Sequence, residues 1–367
     1  MNFIDLKKRL ERVREKVDQR VAAVLDHGQF ILGPEVGELE QTLASYVGVK
    51  HCVGVSSGTD SLLIALMALE IGPSDEVITV PYTWISTAEV IALRGAIPVF
   101  VDIDPRTWNM DPNLLEVAIT ENTKAIMPVG IYGQTADMDS INQIADRHNL
   151  PVIEDAAQCF GATYHGRKSC ALSTIGSTSF FPSKSLGGFG DGGALFTDDD
   201  ELAEKFRWIR VHGQERKHHH PILGMNGRLD TIQAAALLAA FEIFPEEVEQ
   251  RQAIGSQYNS LLSKIGKPDI KLPFVAEQST SVYAQYTILS EDRDSLRVQL
   301  RAADVPSVAY YTVPLHLQPV FAGLNYGHGN FPVTEKIADQ CLSLPMSAYL
   351  PDAEQQRVVE ALARGKI

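Results

Sequence analysis

Pro151-Val152-Ile153-Glu154-Asp155-Ala156-Ala157-Gln158 reads as a short apolar strand that runs into two carboxylates. Carboxylates at the end of such a strand are expensive to bury without a cationic partner. The stretch therefore marks either a site for a cation or the capped start of a helix. Asp155 and Gln158 stand three apart, so a helix beginning here would put them on one face. Taken alone, this stretch leaves both readings open.

Outward from it, short β-rich runs alternate with helical patterns. The spacing predicts strands over His51–Val55, Glu76–Val80, Ile97–Asp102, Thr123–Val129, Pro151–Glu154, Thr178–Phe181 and Gly193–Thr197. Helices are expected over Leu6–Leu25, Thr59–Ala68, Ser86–Leu93, Pro112–Ile119 and Met138–His148. That alternation predicts an α/β fold, a large and mostly parallel sheet flanked by helices, with ligands at the carboxyl ends of its strands. Beyond residue 245 the pattern becomes helix Glu246–Ile265, strand Tyr283–Leu289, helix Arg293–Ala303, strand Pro306–Tyr311 and helix Asp352–Ala363. The division is an N-terminal helix and large domain over 1–245 and a smaller α+β domain over 246–367. At about 150 residues per domain, 367 residues suit two.

Composition excludes several classes. The 32 Lys+Arg against 46 Asp+Glu leave a net charge of −14, which argues against a nucleic-acid partner. The first 25 residues are too charged for a signal peptide, and the most apolar long stretch, Thr231–Phe244, carries Gln233 and Glu242, so no membrane span is expected. Cys52, Cys159, Cys170 and Cys341 have no CxxC spacing, so neither a disulfide framework nor a metal site is expected. These features predict a cytoplasmic protein.

Two more stretches fall at predicted strand ends. Ser56-Ser57-Gly58-Thr59-Asp60-Ser61 joins a strand to a helix and suits a phosphate, since glycine admits close approach and a helix start offers free N–H groups. Its plainer reading is an N-cap turn. Ser179-Phe180-Phe181-Pro182-Ser183-Lys184 precedes the glycine-rich run Gly187–Gly193. A lysine placed there is nucleophilic if desolvated and otherwise an ordinary surface charge. Together, a phosphate cradle, a carboxylate and a lysine at one sheet edge match the needs of pyridoxal phosphate (PLP): a helix N-terminus for the phosphate, an anion for the pyridinium nitrogen and a lysine for the aldehyde.

On these residues the chain resembles the nucleotide-sugar aminotransferases of the DegT/DnrJ/EryC1/StrS family. The markers are Gly28–Val36, Ser57–Asp60, Glu154–Gln158, Ser179–Lys184 and Gly190–Gly193, in that order, and the similarity runs from Phe3 to Pro345. The resemblance implies the aspartate aminotransferase fold (PLP fold type I). It makes Lys184 the Schiff-base lysine and proton shuttle, Asp155 the partner of the pyridinium nitrogen and Gln158 the contact to the phenolic oxygen. Gly58, Thr59 and Ser179 match phosphate-binding positions, and Trp84 an aromatic stacked on the ring. It further implies a homodimer with active sites at the interface, in which Asn226 reaches the partner's phosphate and Arg228 is aimed at a substrate carboxylate.

Arg210–His220 and Ser281–Thr287 look most like the subgroup that aminates C3 of UDP-2-acetamido-2-deoxy-3-keto-D-glucuronic acid with L-glutamate, releasing 2-oxoglutarate, on the route to 2,3-diacetamido sugars of lipopolysaccharide O-antigen. Tyr310, Tyr311 and His316 are the candidate sugar contacts, although Tyr310-Tyr311 stands where that subgroup can carry His-Tyr. His218, His219 and His220 are read as a substrate-side or interface loop. The rival readings are a C4 aminotransferase of a UDP-4-keto-6-deoxy sugar and a non-catalytic sensor of PLP or sugar nucleotide. The intact Asp155, Gln158 and Lys184 set argues against the sensor.

Overall fold

The computed structural model describes residues 1–364. Its strands are β1 His51–Val55, β2 Glu76–Thr79, β3 Ile97–Phe100, β4 Thr123–Ile126, β5 Ile153–Asp155, β6 Thr163–Tyr164, β7 Arg167–Lys168, β8 Ile175–Ser179, β9 Gly193–Thr197, β10 Tyr286–Leu289 and β11 Cys341–Leu344. Its helices are α1 Leu6–His27, α2 Pro34–Val47, α3 Gly58–Ala68, α4 Ser86–Leu93, α5 Met138–Arg147, α6 Asp200–Ile209, α7 Thr231–Phe241, α8 Phe244–Leu262, α9 Arg293–Ala302, α10 Pro332–Gln340 and α11 Asp352–Ala363.

The ladders β3-β2-β4 and β5-β8-β9-β1 are joined by parallel bridges from Ile126 to Val152 and from Val129 to Asp155. The result is one continuous sheet in which β9 alone runs against its neighbours, β8 and β1. Its strands are buried almost throughout, as expected where helices cover both faces. Because β1, β5 and β8 run the same way, their carboxyl ends emerge at one edge. Gly193, opposite both Val55 and Ser179, places the start of β9 there too.

Helix α1 buries Arg9, Val13, Val17 and Val24, a stripe at helical spacing, and ends at Gly28 with φ 70°. Val13 and Val17 meet Ala239 of α7. Helix α7 is apolar on nearly every side and almost wholly buried, so its Ala-rich run is a core helix. In the C-terminal part β10 pairs antiparallel with β11, and Tyr258, Tyr286, Ile288, Leu300, Leu342 and Val358 share a core. Residues from the other end of the chain join it: Met1 packs against that core, and Met346 N–H donates to Phe3 O at 3.1 Å.

Two expected elements differ. Pro112–Ile119 forms two 3₁₀ turns, Pro112–Leu114 and Glu116–Ala118, the first capped by Asp111. Pro306–Tyr311 is reduced to one bridge, Val308 to Ser343, and Tyr311 turns out of extended backbone with φ 55°. Helices α2, α6, α7 and α10 and strands β6, β7 and β11 are not among the expected elements. Among the described residues no helix is long and apolar enough to cross a membrane.

Candidate active site

The shared strand edge opens into a cavity of about 420 Å³. Ser57, Gly58 and Thr59 line it from the turn after β1, Asp155, Ala157 and Gln158 from the end of β5, and Ser179 and Lys184 from the turn after β8. Trp84, Tyr310 and Tyr311 complete the wall, with Trp84 62% exposed in the single chain.

Alternation along β5 separates the two carboxylates. Glu154 faces away, accepts from Cys170 N–H at 2.8 Å and has its pKa pushed up to about 8 by burial. Asp155 faces the cavity, where Oδ2 accepts from Thr87 Oγ1 at 2.9 Å and Oδ1 from Ala157 N–H at 3.2 Å. Burial raises the Asp155 pKa, opposed by the Ala157 N–H, the Thr87 hydroxyl and the charge of Lys184. The carboxylate is under-compensated, which suits a cationic ligand atom. Burial in turn lowers the Lys184 pKa, with Asp155 opposing, which favours the free amine that a nucleophile requires.

Ser57 caps α3, its hydroxyl accepting from Asp60 N–H at 3.0 Å. The cap reading and the phosphate reading are compatible, because a helix start also leaves the Gly58 and Thr59 N–H groups without intrahelical acceptors. A Cβ on Gly58 would lie 2.6 Å from that of Ser179, so only glycine lets these N–H groups stand beside the Ser179 hydroxyl. Gln158 is fixed at both ends: Oε1 accepts from Tyr132 N–H at 3.1 Å, and Nε2 donates to Tyr311 OH at 2.8 Å. The second Nε2 hydrogen is left for a ligand acceptor. Anion-binding N–H groups, a buried carboxylate, a desolvated amine and an oriented amide together fit PLP: Gly58, Thr59 and Ser179 could hold its phosphate, Asp155 its ring nitrogen and Lys184 its aldehyde.

Not every expected residue arrives. Asn226 is exposed, bridges Val211 and does not line the cavity of its own chain. Arg228 bridges Val55 through its backbone; its buried Nε has no partner among the described residues. His316 is a correction: it is 1% exposed, pairs Nε2 with Glu335 at 3.1 Å and stands edge-on to Phe331, so it belongs to the core rather than to the cavity. In the histidine loop His219 pairs with Glu215 and His220 Nδ1 meets His212 O. No group of three or more His, Cys, Asp or Glu among the described residues is placed to hold a metal. The sequence reading missed Thr87, which holds Asp155, and Tyr132, which orients Gln158. Thr87, one helical turn after the Thr83-Trp84 pair, offered a faint signal; Tyr132 offered none.

A model of the DegT/DnrJ/EryC1/StrS aminotransferase family matches residues 11–363. The chain is 52% identical to the UDP-2-acetamido-2-deoxy-3-oxo-D-glucuronate aminotransferase of Pseudomonas aeruginosa, over 99% of each chain. Among solved structures it resembles S. venezuelae DesV in complex with a ketimine intermediate, with a TM-score of 0.96 and 41% identity over 99% of this chain and 97% of that one. It likewise resembles ntda from Bacillus subtilis with bound cofactor PMP, with a TM-score of 0.92 and 33% identity over 99% of this chain and 84% of that one. The fold is that of the fold type I PLP enzymes, and PLP is the cofactor.

Proposed function

The chain belongs to the DegT/DnrJ/EryC1/StrS aminotransferase family, and we propose that it transfers the amino group of L-glutamate to C3 of UDP-2-acetamido-2-deoxy-3-keto-D-glucuronate. The observation that carries this is the single cavity in which Asp155, Gln158 and Lys184 converge with the start of α3. Identity to the Pseudomonas aeruginosa 3-oxo-glucuronate aminotransferase supports the choice of sugar. The same proposal makes the protein a cytoplasmic homodimer serving O-antigen synthesis, with residues 1–245 as the large domain and 246–367 as the small one.

PLP when bound supplies the electron sink that lets a substrate carbon lose and regain a proton. Asp155 keeps the ring nitrogen protonated, and Thr87 and the Ala157 N–H hold that carboxylate in place. With the cofactor bound, Lys184 Nζ as a free amine would take the proton from the amino donor's Cα and pass it to the cofactor within the first half-reaction, and would carry a proton the opposite way, to C3 of the sugar, in the second. Gln158 steadies the phenolic oxygen, and Trp84 covers the mouth, where a partner subunit would exclude water.

Exposed Phe30, Ile31 and Leu32 lie beside Asp230 and Thr231, and exposed Phe181 lines the cavity; exposed apolar side chains of this kind support a dimer. The unpartnered Arg228 Nε supports its role toward a uronate carboxylate, in the partner's site, beside Asn226 at the phosphate. Tyr310 and Tyr311 remain the sugar contacts from within the chain.

The test is the visible spectrum of the purified protein. L-glutamate should bleach the cofactor band, and the 3-keto-glucuronate should restore it. Restoration only by a UDP-4-keto-6-deoxy sugar would replace the substrate, and a protein indifferent to glutamate and every keto-sugar would overturn the transaminase reading.

A further inference from the structure

Arg9 stands near the start of α1, 175 positions from Lys184, with its guanidinium buried. Nη2 donates to the Ser185 carbonyl at 2.7 Å and Nη1 to the Lys184 carbonyl at 3.3 Å. Its Nε donates to Glu247 Oε1 at 2.9 Å, and that oxygen also accepts from Tyr349 OH at 2.6 Å. On the far side of the turn, a Cβ on Gly187 would collide with the Pro182 carbonyl and come 3.0 Å from Arg9 Nη1. Lys184 lies outside helix and strand; its own N–H is held by Phe181 O at 2.8 Å. Arg9 thus grips the other end of the residue.

Joining α1 to α8 does not require this desolvation, since Arg12 and Glu246 make the same connection in solvent. Burying a guanidinium is unfavourable unless its donors are matched, and here two of the three contacts go to peptide carbonyls at the lysine. Only a planar fork reaches two carbonyls and a carboxylate at once. We propose that Arg9 is a positioning residue for Lys184, clamping the 184–185 backbone so that Nζ is held where it must accept and deliver protons. Glu247 and Tyr349 orient the clamp, so α1, α8 and the chain before α11 meet at the lysine's backbone. The inference rests on the aminotransferase reading of the same site.

The experiment compares Arg9→Met, Arg9→Lys and Glu247→Gln holoenzymes with wild type, and uses Arg14→Met, an exposed residue paired with Asp18, as control. The readouts are kcat and KM for both substrates and the visible circular dichroism of the bound cofactor, recorded without substrate. Both Arg9 variants should lose kcat on the order of 10²-fold with KM nearly unchanged, as small misplacements of a reacting group do. Their cofactor dichroism should weaken, because a loosened lysine no longer fixes the ring. Glu247→Gln should show the same signature to a smaller degree, and it carries the test if the Arg9 variants fail to fold. Wild-type kcat and dichroism in the folded variants, with only a lower Tm, would overturn the proposal and leave Arg9 as a structural tether. If wild type ignores the keto-sugar, the substrate reading fails, while the dichroism still decides Arg9.

Discussion

Two buried charge clusters in this protein are built in opposite ways. At the sheet edge, Asp155 accepts among the described residues from the Thr87 hydroxyl and the Ala157 N–H alone, and burial raises the pKa of Asp155 and lowers that of Lys184, favouring both neutral forms. Behind β3, Asp102 accepts from the N–H groups of Ile103, Val333 and Thr334 and from the Thr334 hydroxyl, each bond between 2.7 and 2.9 Å. Beside it Glu335 pairs with His316 and accepts from Gly329 N–H. In the second cluster the Asp102 carboxylate is saturated and fastens α10 to the sheet, although His316 Nδ1 finds no partner among the described residues; the first is left short of partners that a ligand can supply. Under-compensation of charge is what separates a site from a brace.

The sharpest way to break that contrast is Lys184→Ala. It should abolish transamination, by about 10⁴-fold or more since the nucleophile and the proton shuttle are lost together, while thermal unfolding of the apoprotein stays unchanged or rises. A simultaneous collapse of Tm would put Lys184 in the brace class. Asp155→Asn comes next, with kcat down by about 10²–10³-fold as for loss of one preorganised electrostatic partner. Because burial raises the folded-state pKa of Asp155, its charge opposes folding near neutral pH, so the Asn apoprotein should melt higher than wild type.

Asp102→Ala should do the reverse. Stranding the Val333 and Thr334 donors should reduce unfolding free energy by about 3 kcal/mol in denaturant titrations, with KM of the folded enzyme unaltered. A selective rise in KM would show that this cluster also serves the cavity.

Glu154→Gln should have the mildest effect on catalysis and show instead in the pH dependence of stability. The Glu154 pKa of about 8 lies above the ordinary carboxylate value, so the native state keeps a proton that the unfolded chain has released. Wild type should therefore lose stability as pH rises from the carboxylate range to about 8 and level off above it. Gln should flatten that decline in a series of melting curves; an unchanged slope would assign it to other groups.

Much of this was legible in the sequence. His51–Val55, Ser86–Leu93, Gly193–Thr197 and Asp352–Ala363 have the bounds their patterns predict, because alternation and helical periodicity are local. The carriers of chemistry were legible for the same reason, since Asp155, Gly58 and Lys184 each follow a recognisable strand. Tyr311 and His316 were read as neighbours in one contact role and are parted by the fold. A positive φ turns Tyr311 back to Gln158, whereas His316 sinks beneath Phe331.

By itself, the order of residues determined the strand–helix rhythm, the edge where ligands gather and the groups able to hold PLP, because each depends on spacing over a few positions. Only the tertiary structure decided that Glu154 turns away while Asp155 faces the cavity, that Tyr132 and Tyr311 share the orientation of Gln158, and that Arg9 reaches Lys184 across 175 positions. Those outcomes rest on sheet register, backbone sign and long-range packing, which no local pattern encodes.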